Sequence, residues 1–565
     1  MKTFLHKHQL LLFSLLTGIL LSLSWPARGF PFLIFVAFVP LLWVEQTIYV
    51  NRDRYQPISI FFHAWIAFLV FNVSTTWWIL YATLPGMVVA MVLNSLLMSI
   101  PVGLMHIARR VLPGKQGPVS LLFFWLSFEY LHARWDLSWS WLDLGNVFAP
   151  FPAWVQWYEY TGAAGGAVWI LSLNLVLFQL LKQLFPKGPL IHRHSRPEGM
   201  VQANNQETDQ ISGAPKKPII LSVIAAAAFV VPSLISFTMW YGYEEVPDPV
   251  EVVVIQPSID PYDHARTLEE AQRRIDLMVS LASQAVGPQT RFVIAPEGAS
   301  PHGIWMGQEE SHMMVRSVRE HIAHHPGLTW VFGSMVYRLY EPGEQVPRSA
   351  RPNPGGDGMV DVYNSSLMIE DGRTASFYHK SKLVPGIEQM PFYRVLGPLG
   401  KIVERFGGTA SSLGKQDRRS VFQTSEGKSV APVICYESIY GDYMRGYYPR
   451  GAGLIFIMTN DGWWRNTPGH RQHNQYARLR AIESRKSIAR AASTGISSFI
   501  NQRGEVLKQS DWWETTAMAH TLNQNHRLTF FALHGNFLGK LSLFLTALLL
   551  LYMASQWVIR KPGQR

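Results

Sequence analysis

Residues 430–438 read VAPVICYES, and this stretch joins a buried strand to a chemically reactive side chain. Its first five residues are apolar, as in a strand covered on both faces, and Cys435 stands at the end of that strand. Functional side chains of α/β proteins collect at such strand ends. Cys435 is the only cysteine in the chain, which excludes an intrachain disulfide and a cysteine-based metal cluster. The stretch therefore indicates an α/β domain that carries one candidate nucleophile.

Two other polar side chains follow apolar strands in the same way. Glu297 comes after FVIAP, and Lys380 ends the stretch FYHK. A cysteine needs a base or a nearby cation to attack a carbonyl at neutral pH, because its ordinary pKa of about 8.5 leaves it mostly protonated. Glu297 can take the proton, and Lys380 can stabilise the oxyanion. Structural roles stay open at this point: a buried apolar cysteine, a helix cap or ion pair at Glu297, and a solvated edge at Lys380.

From residue 250 onward, short β-branched runs alternate with amphipathic stretches. This pattern predicts strands at 250–256, 291–295, 329–337, 430–435 and 453–459, hairpins at 360–369 with 374–380 and at 496–502 with 504–508, and helices at 267–286, 309–324 and 473–492. The stretch 340–361 is rich in Pro and Gly and is predicted to be a loop. Strands that alternate with helices and hairpins indicate a layered α/β domain.

The chain has 565 residues, of which 48% are hydrophobic, and these are concentrated in long uncharged runs on both sides of this domain. A bilayer core about 30 Å thick needs about 20 apolar residues per helix. The sequence predicts eight spans, at 9–25, 30–50, 58–81, 84–108, 118–133, 165–184, 219–241 and 537–559. The fifth of them contains Glu129 and His132. The pattern excludes a disordered chain, a fibrous protein and an ordinary soluble enzyme.

The distribution of basic residues predicts how these spans are oriented. With the N-terminus in the cytoplasm, the cytoplasmic segments hold most of the Lys and Arg next to the spans, and the opposite short loops hold only Arg28 and Arg134. The positive-inside rule then places both termini in the cytoplasm and residues 242–533 outside. The polar stretch 192–217 is predicted to be a flexible cytoplasmic loop. The net charge of +11 comes without the basic–aromatic pattern of an RNA-binding motif, so nucleic acid is not a predicted partner.

The first apolar run also has the features of a cleaved signal peptide, a charged start and an apolar middle. It has no clean small-x-small cleavage site, and its removal would disturb the charge pattern. We therefore expect it to be retained as a span.

The residues around the three candidates resemble a known family. APEGASP at 295–301, YHKSKLVP at 378–385 and VICYES at 433–438 resemble, in order and context, the Glu–Lys–Cys triad of the nitrilase superfamily of carbon–nitrogen hydrolases. With helices before and after, the whole chain resembles the apolipoprotein N-acyltransferase family. Further matching stretches are YNSS at 363–366, TNDGWW at 459–464 and the run 470–495. The resemblance implies a multi-pass α-helical membrane bundle of about eight spans plus an α/β nitrilase-like αββα sandwich domain.

The same resemblance implies a division of the chain and a reaction. Residues 1–241 would form the bundle, 242–533 a periplasmic catalytic domain and 534–565 a last helix with a basic tail. Cys435 would attack the sn-1 ester of a phospholipid and form a thioester, which the amine of an apolipoprotein's diacylglyceryl-cysteine then attacks. Glu297 would be the general base and Lys380 the oxyanion stabiliser. The expected partners are thus a phospholipid donor and an apolipoprotein acceptor at a bacterial inner membrane, without cofactor or metal.

Further residues match the family's supporting positions. They are Glu388, Tyr436, Glu437, Trp463 and Trp464. Two departures stand beside them. The family's proline-phenylalanine-glycine-glutamate reads PGIE at 385–388, which changes the loop that carries Glu388, and Gly298 stands where threonine or serine is usual.

Two other functions are compatible with parts of this pattern. A membrane-anchored amidase would use the same triad with water as acceptor, although eight helices exceed what anchoring needs. A transporter or lipid-binding scaffold with an inactive domain is disfavoured by the intact triad and by the scarcity of ionisable residues in the spans. Replacing Cys435 by Ala would abolish function in either enzyme and leave a transporter unaffected.

Overall fold

The computed structural model describes residues 2–27, 29–112, 114–186, 189, 216–400, 404 and 409–559. Its longer helices are Lys2–Ser24, Val39–Val50, Ser59–Thr76, Leu84–Val111, Ser120–His132, Ala163–Leu184, Lys216–Gly242, Leu268–Ala285, Met313–Ala323, Pro468–Ser484 and Phe537–Ile559. The polar stretch predicted as a loop at 192–217 lies outside the described residues, except for its last two residues, which begin a helix.

Within the described part of the chain, six helices are long and apolar enough to cross a membrane. They are Pro31–Val50, Ser59–Tyr81, Leu84–Val111, Ala163–Leu184, Pro218–Gly242 and Phe537–Ile559. The multi-pass helical bundle is therefore confirmed, with six candidate spans where the sequence predicts about eight. The two predicted spans that differ are 9–25 and 118–133.

Both differences have a local cause. The predicted span 118–133 contains a helix of only 13 residues, Ser120–His132. Glu129 near its end is buried and accepts hydrogen bonds from the Trp125 indole and the Leu144 amide, both at 2.8 Å, so it fixes the chain where it turns back. At 9–25 a helix forms as predicted, but its apolar part, His8–Ser24, is shorter than the six candidate spans.

The α/β domain consists of two sheets. Its strands are β1 (Pro249–Gln256), β2 (Thr290–Ile294), β3 (Ile304–Trp305), β4 (Thr329–Tyr340), β5 (Arg351–Pro352), β6 (Met359–Glu370), β7 (Ser376–His379), β8 (Phe422–Gln423), β9 (Ser429–Ile434), β10 (Leu454–Thr459), β11 (Ile488–Ala492), β12 (Ser498–Ile500), β13 (Val506–Gln509) and β14 (Thr516–Asn523). The eight-stranded sheet has the order β14-β1-β2-β4-β6-β5, with β3 on β4 and β7 on β6. The six-stranded sheet has the order β13-β12-β11-β10-β9-β8.

The two sheets pack face to face because their strands are apolar on both sides. Val253 of β1 packs in the cluster that contains the helix Leu268–Ala285, whereas its neighbour Val252 faces the second sheet. Phe292 of β2 meets Phe456 of β10 edge-on, with ring centroids 5.1 Å apart. Helices cover the outer faces, and the predicted αββα sandwich is confirmed.

The helix Pro468–Ser484 covers the six-stranded sheet and also touches the bundle. The Trp25 indole donates to the Tyr476 hydroxyl at 3.1 Å, and the Trp141 indole donates to the Gln472 amide oxygen at 2.7 Å. All four side chains are buried. The α/β domain therefore rests directly on the ends of the membrane helices.

Part of the predicted secondary structure is wrong. The predicted helix 473–492 ends at Ser484, because Arg485 adopts the left-handed conformation with φ of +52°. The following residues Ile488–Ala492 form β11, a fully buried strand parallel to β10. The predicted strands also omit β14, which pairs antiparallel with the whole of β1. In a run as short as IARAA at 488–492, periodicity alone does not distinguish a buried strand from a helix.

Candidate active site

The candidate residues meet between the two sheets. Glu297 and Lys380 follow β2 and β7 of the eight-stranded sheet, and Cys435 follows β9 of the six-stranded sheet. The charges of Glu297 and Lys380 both act on the Cys435 thiol. The structure thus brings together three residues that are far apart in the sequence.

Glu297 is held in place by neutral donors. Its Oε1 accepts a hydrogen bond from the Asn364 amide at 2.7 Å, and its Oε2 accepts one from the backbone N–H of Asn460 at 3.1 Å. Gly333 of β4 passes so close that a Cβ there would lie 2.6 Å from the Glu297 Cα. The carboxylate is therefore oriented by fixed groups and remains partly accessible, with 13% of the side chain exposed.

Lys380 is buried and paired with two carboxylates. Its Nζ lies 3.2 Å from Glu297 Oε1 and 2.8 Å from Glu388 Oε1, and only 1% of the side chain is exposed. Burial alone would lower the pKa of Lys380, but the charges of Glu297 and Glu388 outweigh it and raise the pKa well above its ordinary value. The side chain is therefore an ammonium group fixed beside the thiol.

Cys435 occupies a strained position at the start of the short helix Cys435–Ile439. Its φ is +46°, in the left-handed region that costs a non-glycine residue about 1–2 kcal/mol. Burial raises the pKa of the Cys435 thiol, the negative charge of Glu297 raises it further, and Lys380 only partly opposes this. These effects favour the thiol over the thiolate, so Cys435 would need a base to take its proton if it acts as a nucleophile.

Two parts of the chain match models of known protein families. Residues 17–176 match the family model of the apolipoprotein N-acyltransferase N-terminal domain, and residues 251–526 match that of carbon–nitrogen hydrolases. The chain is 26% identical over 552 residues to an apolipoprotein N-acyltransferase of Chlorobaculum tepidum, covering 96% of each chain. It is 26% identical to one of Geobacter metallireducens, covering 88% of this chain and 86% of that one.

The chain belongs to the apolipoprotein N-acyltransferase family. It is thus a membrane-embedded acyltransferase with a nitrilase-like domain. Among solved structures, a variant of the Nesterenkonia AN1 amidase of the nitrilase superfamily covers 48% of this chain and 90% of its own, at 16% identity and a TM-score of 0.32. That likeness is a distant one of fold.

In this family member, the altered loop at 385–388 still delivers its carboxylate to the site. Gly386 has a φ of +81°, and the Val384 carbonyl accepts the backbone N–H groups of the next turn. Glu388 Oε1 reaches Lys380, and its Oε2 accepts the Val384 N–H at 2.8 Å. The PGIE sequence at 385–388 therefore still leaves Glu388 in contact with Lys380. At the other departure, Gly298 has a φ of +67°, a conformation that glycine adopts at little cost.

Glu437 lies behind the site and connects its two halves. It is fully buried, and its carboxylate accepts hydrogen bonds from the Tyr378 and Tyr443 hydroxyls at 2.7 and 2.6 Å. It also accepts the backbone N–H of Ser381 at 2.8 Å and that of Ile434 at 2.9 Å. One carboxylate thus fixes the residue after Lys380 and the residue before Cys435.

Tyr436 and Trp464 face the membrane bundle. The Tyr436 hydroxyl donates to the Ser138 carbonyl at 2.7 Å. Trp464 packs against Trp78 and Trp141, with ring centroids 4.7 and 5.4 Å away. These two predicted residues join the catalytic elements to the bundle.

Trp463 is placed differently. It is 38% exposed and meets Tyr262 edge-on at 5.1 Å, on the surface of the α/β domain. No contact between it and the triad is present among the described residues.

Sequence reasoning did not single out Asn364, whose side chain donates to Glu297 at 2.7 Å and to Glu388 at 2.9 Å. The YNSS stretch that contains it was visible, but an uncharged amide within a predicted strand gives no chemical signal. Its role depends on the pairing of β6 with β4 and β7.

Proposed function

We propose that the enzyme transfers an acyl chain from a phospholipid, through a thioester on Cys435, to the N-terminal amine of an apolipoprotein's diacylglyceryl-cysteine. One observation carries the proposal: a thiol, a carboxylate and a fixed ammonium meet in one buried site. The names of the similar proteins support the acceptor. The apolar helices support a donor taken from the membrane.

In the first half-reaction, the Cys435 sulfur attacks the carbonyl carbon of the sn-1 ester. As the S–C bond forms, Glu297 takes the thiol proton, and Lys380 stabilises the negative oxygen of the tetrahedral intermediate. The C–O bond then breaks, Glu297 returns the proton to the leaving oxygen, and lysophospholipid departs. The acyl group remains on Cys435 as a thioester.

In the second half-reaction, the free amine of the lipoprotein attacks the thioester. Glu297 takes a proton from the amine as the N–C bond forms, and Lys380 again stabilises the oxyanion. The C–S bond breaks, the sulfur regains its proton from Glu297, and the product is an amide. Because an amide is more stable than a thioester, this step completes the transfer.

The supporting residues receive roles from their contacts. Glu388 holds the Lys380 ammonium in place, and Glu437 fixes the backbone on both sides of the site. Tyr436 and Trp464 anchor the site to the bundle, where a lipid chain would arrive, and Trp463 receives no role from its contacts. None of these residues is proposed to form a covalent bond.

The proposed topology follows from the distribution of charge. Residues 1–241 and 534–565 span the inner membrane with both termini in the cytoplasm, and residues 242–533 face the periplasm. The contacts of Trp25 and Trp141 with the helix Pro468–Ser484 support this arrangement, because a donor drawn from the bilayer would have to reach the site from the helices.

The test is a transfer assay with the purified enzyme. A phospholipid labelled in its sn-1 chain is mixed with a synthetic diacylglyceryl lipopeptide. We expect label in an alkali-stable amide on the lipopeptide and an equal amount of lysophospholipid. Cys435→Ala and a lipopeptide with an acetylated amine serve as controls and should give no transfer. Release of labelled fatty acid at the same rate with and without lipopeptide would instead identify a hydrolase.

A further inference from the structure

A buried imidazole joins a carboxylate to the backbone of the nucleophile. His473, on the helix Pro468–Ser484, has its Nδ1 2.9 Å from Asp461 Oδ1 and its Nε2 3.2 Å from the carbonyl oxygen of Cys435. His473 is 1% exposed, and Asp461 is fully buried. Buried polar groups at these distances fix one another, because moving either leaves the other without its partner.

The carbonyl of Cys435 needs such support because its residue is strained. The Ser438 hydroxyl donates to this carbonyl at 2.7 Å, and His473 Nε2 approaches both the carbonyl and the hydroxyl, the latter at 3.0 Å. Strained backbone persists only where its surroundings over-determine it. These contacts hold the φ of +46° that directs the thiol into the site.

Asp461 is anchored on its other side by a second set of donors. Its Oδ2 accepts from Arg490 at 2.6 Å, and its Oδ1 accepts from the Thr459 hydroxyl at 2.9 Å. Burial alone would raise the pKa of Asp461, but Arg490 and His473 outweigh it and lower the pKa. The ionised Asp461 carboxylate and the Arg490 guanidinium therefore both lie against His473 Nδ1, at 2.9 and 3.1 Å, and fix the position of the imidazole ring.

The same turn also reaches the general base. Asn460, directly before Asp461, donates its backbone N–H to Glu297 Oε2 at 3.1 Å. Thr459, directly before Asn460, donates its hydroxyl to Asp461 Oδ1. The turn at the end of β10 thus contacts the base through Asn460 and the imidazole through Asp461.

We infer that Asp461 and His473 are positioning residues for acyl transfer. His473 acts through the Cys435 carbonyl and Asp461 through the turn at Asn460, and together they hold the Cys435 thiol and the Glu297 carboxylate at a fixed distance from each other. The inference rests on the proposed role of Cys435 as nucleophile. Neither side chain touches the substrate. The rate of attack therefore depends on them, whereas phospholipid binding does not.

The test compares single-turnover formation of the acyl-enzyme in His473→Ala and in the wild type. We expect the rate at saturating phospholipid to fall about 100-fold, since a displacement of about 1 Å at a reacting group has an effect of that size. The KM for phospholipid should change less than about threefold, because the pocket is untouched. The rate of His473→Gln should be about tenfold higher than that of His473→Ala, because the glutamine amide can donate a hydrogen bond toward the Cys435 carbonyl.

The matched control is His321→Ala. His321 is also buried in the α/β domain, between Ser283 and Trp330, and has no contact with the triad. Its replacement should lower stability without lowering the rate per folded molecule. A His473→Ala enzyme with the wild-type rate, or with a loss that follows the folded fraction as in His321→Ala, would overturn the inference.

If His473→Ala does not fold, the inference is tested with the single variants Ser438→Ala and His473→Gln and with the double variant that combines them. Both groups support one carbonyl, so the double variant should lose more rate than the product of the two single losses. Simple multiplication would overturn the inference. The proposed function fails separately, if the wild type itself forms no acyl adduct.

Discussion

Among the residues that the structure describes, two lysines of the α/β domain are buried, and the partners of their ammonium groups differ. Lys380 Nζ meets the carboxylates of Glu297 and Glu388, whereas Lys486 Nζ donates to the backbone carbonyls of Asn525 and Arg527, at 2.5 and 3.3 Å. Burial lowers the pKa of Lys486 to about 7, while at Lys380 the two carboxylates outweigh burial and raise it. Burial alone thus lowers the pKa of a lysine to near neutrality, whereas the two carboxylates keep the Lys380 side chain charged.

The retained charge has a consequence for Cys435. Two carboxylates and one ammonium leave the site with a net negative charge, which favours the thiol over the thiolate. The site differs in this way from a preformed thiolate–cation pair. In the proposed reaction, proton transfer to Glu297 therefore accompanies attack by Cys435, and Lys380 acts when negative charge moves to the substrate oxygen.

The largest expected effect comes from removing each ammonium in turn. Lys380→Met should slow acyl-enzyme formation about 1000-fold, because the oxyanion loses its stabiliser and two carboxylates are left facing each other. Lys486→Met should leave the rate within about threefold, since it lies away from the triad. Stopped incubations followed by mass spectrometry give both rates. If both variants lost a similar fraction of the rate, the claim that only the Lys380 ammonium supports acyl transfer would be wrong.

A smaller effect is expected when one of the two carboxylates loses its charge. Glu388→Gln keeps the shape of the side chain but lowers the pKa of Lys380, and we expect the rate to fall about 10-fold to 100-fold. Glu370→Gln is the matched control, because Glu370 is a buried glutamate of the same domain that pairs with Arg373 and Ser425. An unchanged rate in Glu388→Gln would mean that Glu297 alone keeps Lys380 charged.

The smallest effect concerns stability and pH. Between pH 7 and about 10.5 the unfolded chain binds a proton at Lys486 that the folded chain does not, so the stability of the fold should rise with pH in this window. Thermal unfolding between pH 7 and 9 should show this rise in the wild type relative to Lys486→Met.

Lys380 provides the opposite case. Its raised pKa stabilises the fold fully below its ordinary value of about 10.5, and this stabilisation is lost only as pH rises beyond that value. Wild type and Lys380→Met should therefore differ by a constant amount between pH 7 and 9. A difference that changes with pH would mean that Lys380 titrates in this range.

Much of the fold could be predicted because its signals are local. β1, β9 and β10 are apolar runs with clear ends, and the triad residues stand directly after such runs. The helix end at Ser484 was missed because it depends on the left-handed conformation of Arg485, a residue without a turn signature. The predicted span 118–133 is longer than the helix Ser120–His132, because Glu129 is buried by hydrogen bonds to Trp125 and to the Leu144 backbone, and composition alone does not indicate those contacts.

The contacts that orient the site could not be predicted from sequence. Asn364, Asp461 and His473 lie in stretches that resemble the family, but their partners are backbone groups and side chains of other strands. Which partners they meet is set by the register between strands and by the packing of the two sheets. The residue type predicts the chemistry of Cys435, and only the fold shows which groups hold its backbone in place.

The most direct test of the central claim is the intact mass of the purified enzyme after incubation with a phospholipid of defined acyl chains. We predict a gain of one acyl group that hydroxylamine removes, that Cys435→Ala does not show, and that Lys486→Met shows at the wild-type rate. An active enzyme without any adduct, or an adduct that persists in Cys435→Ala, would contradict the claim that Cys435 carries the acyl group.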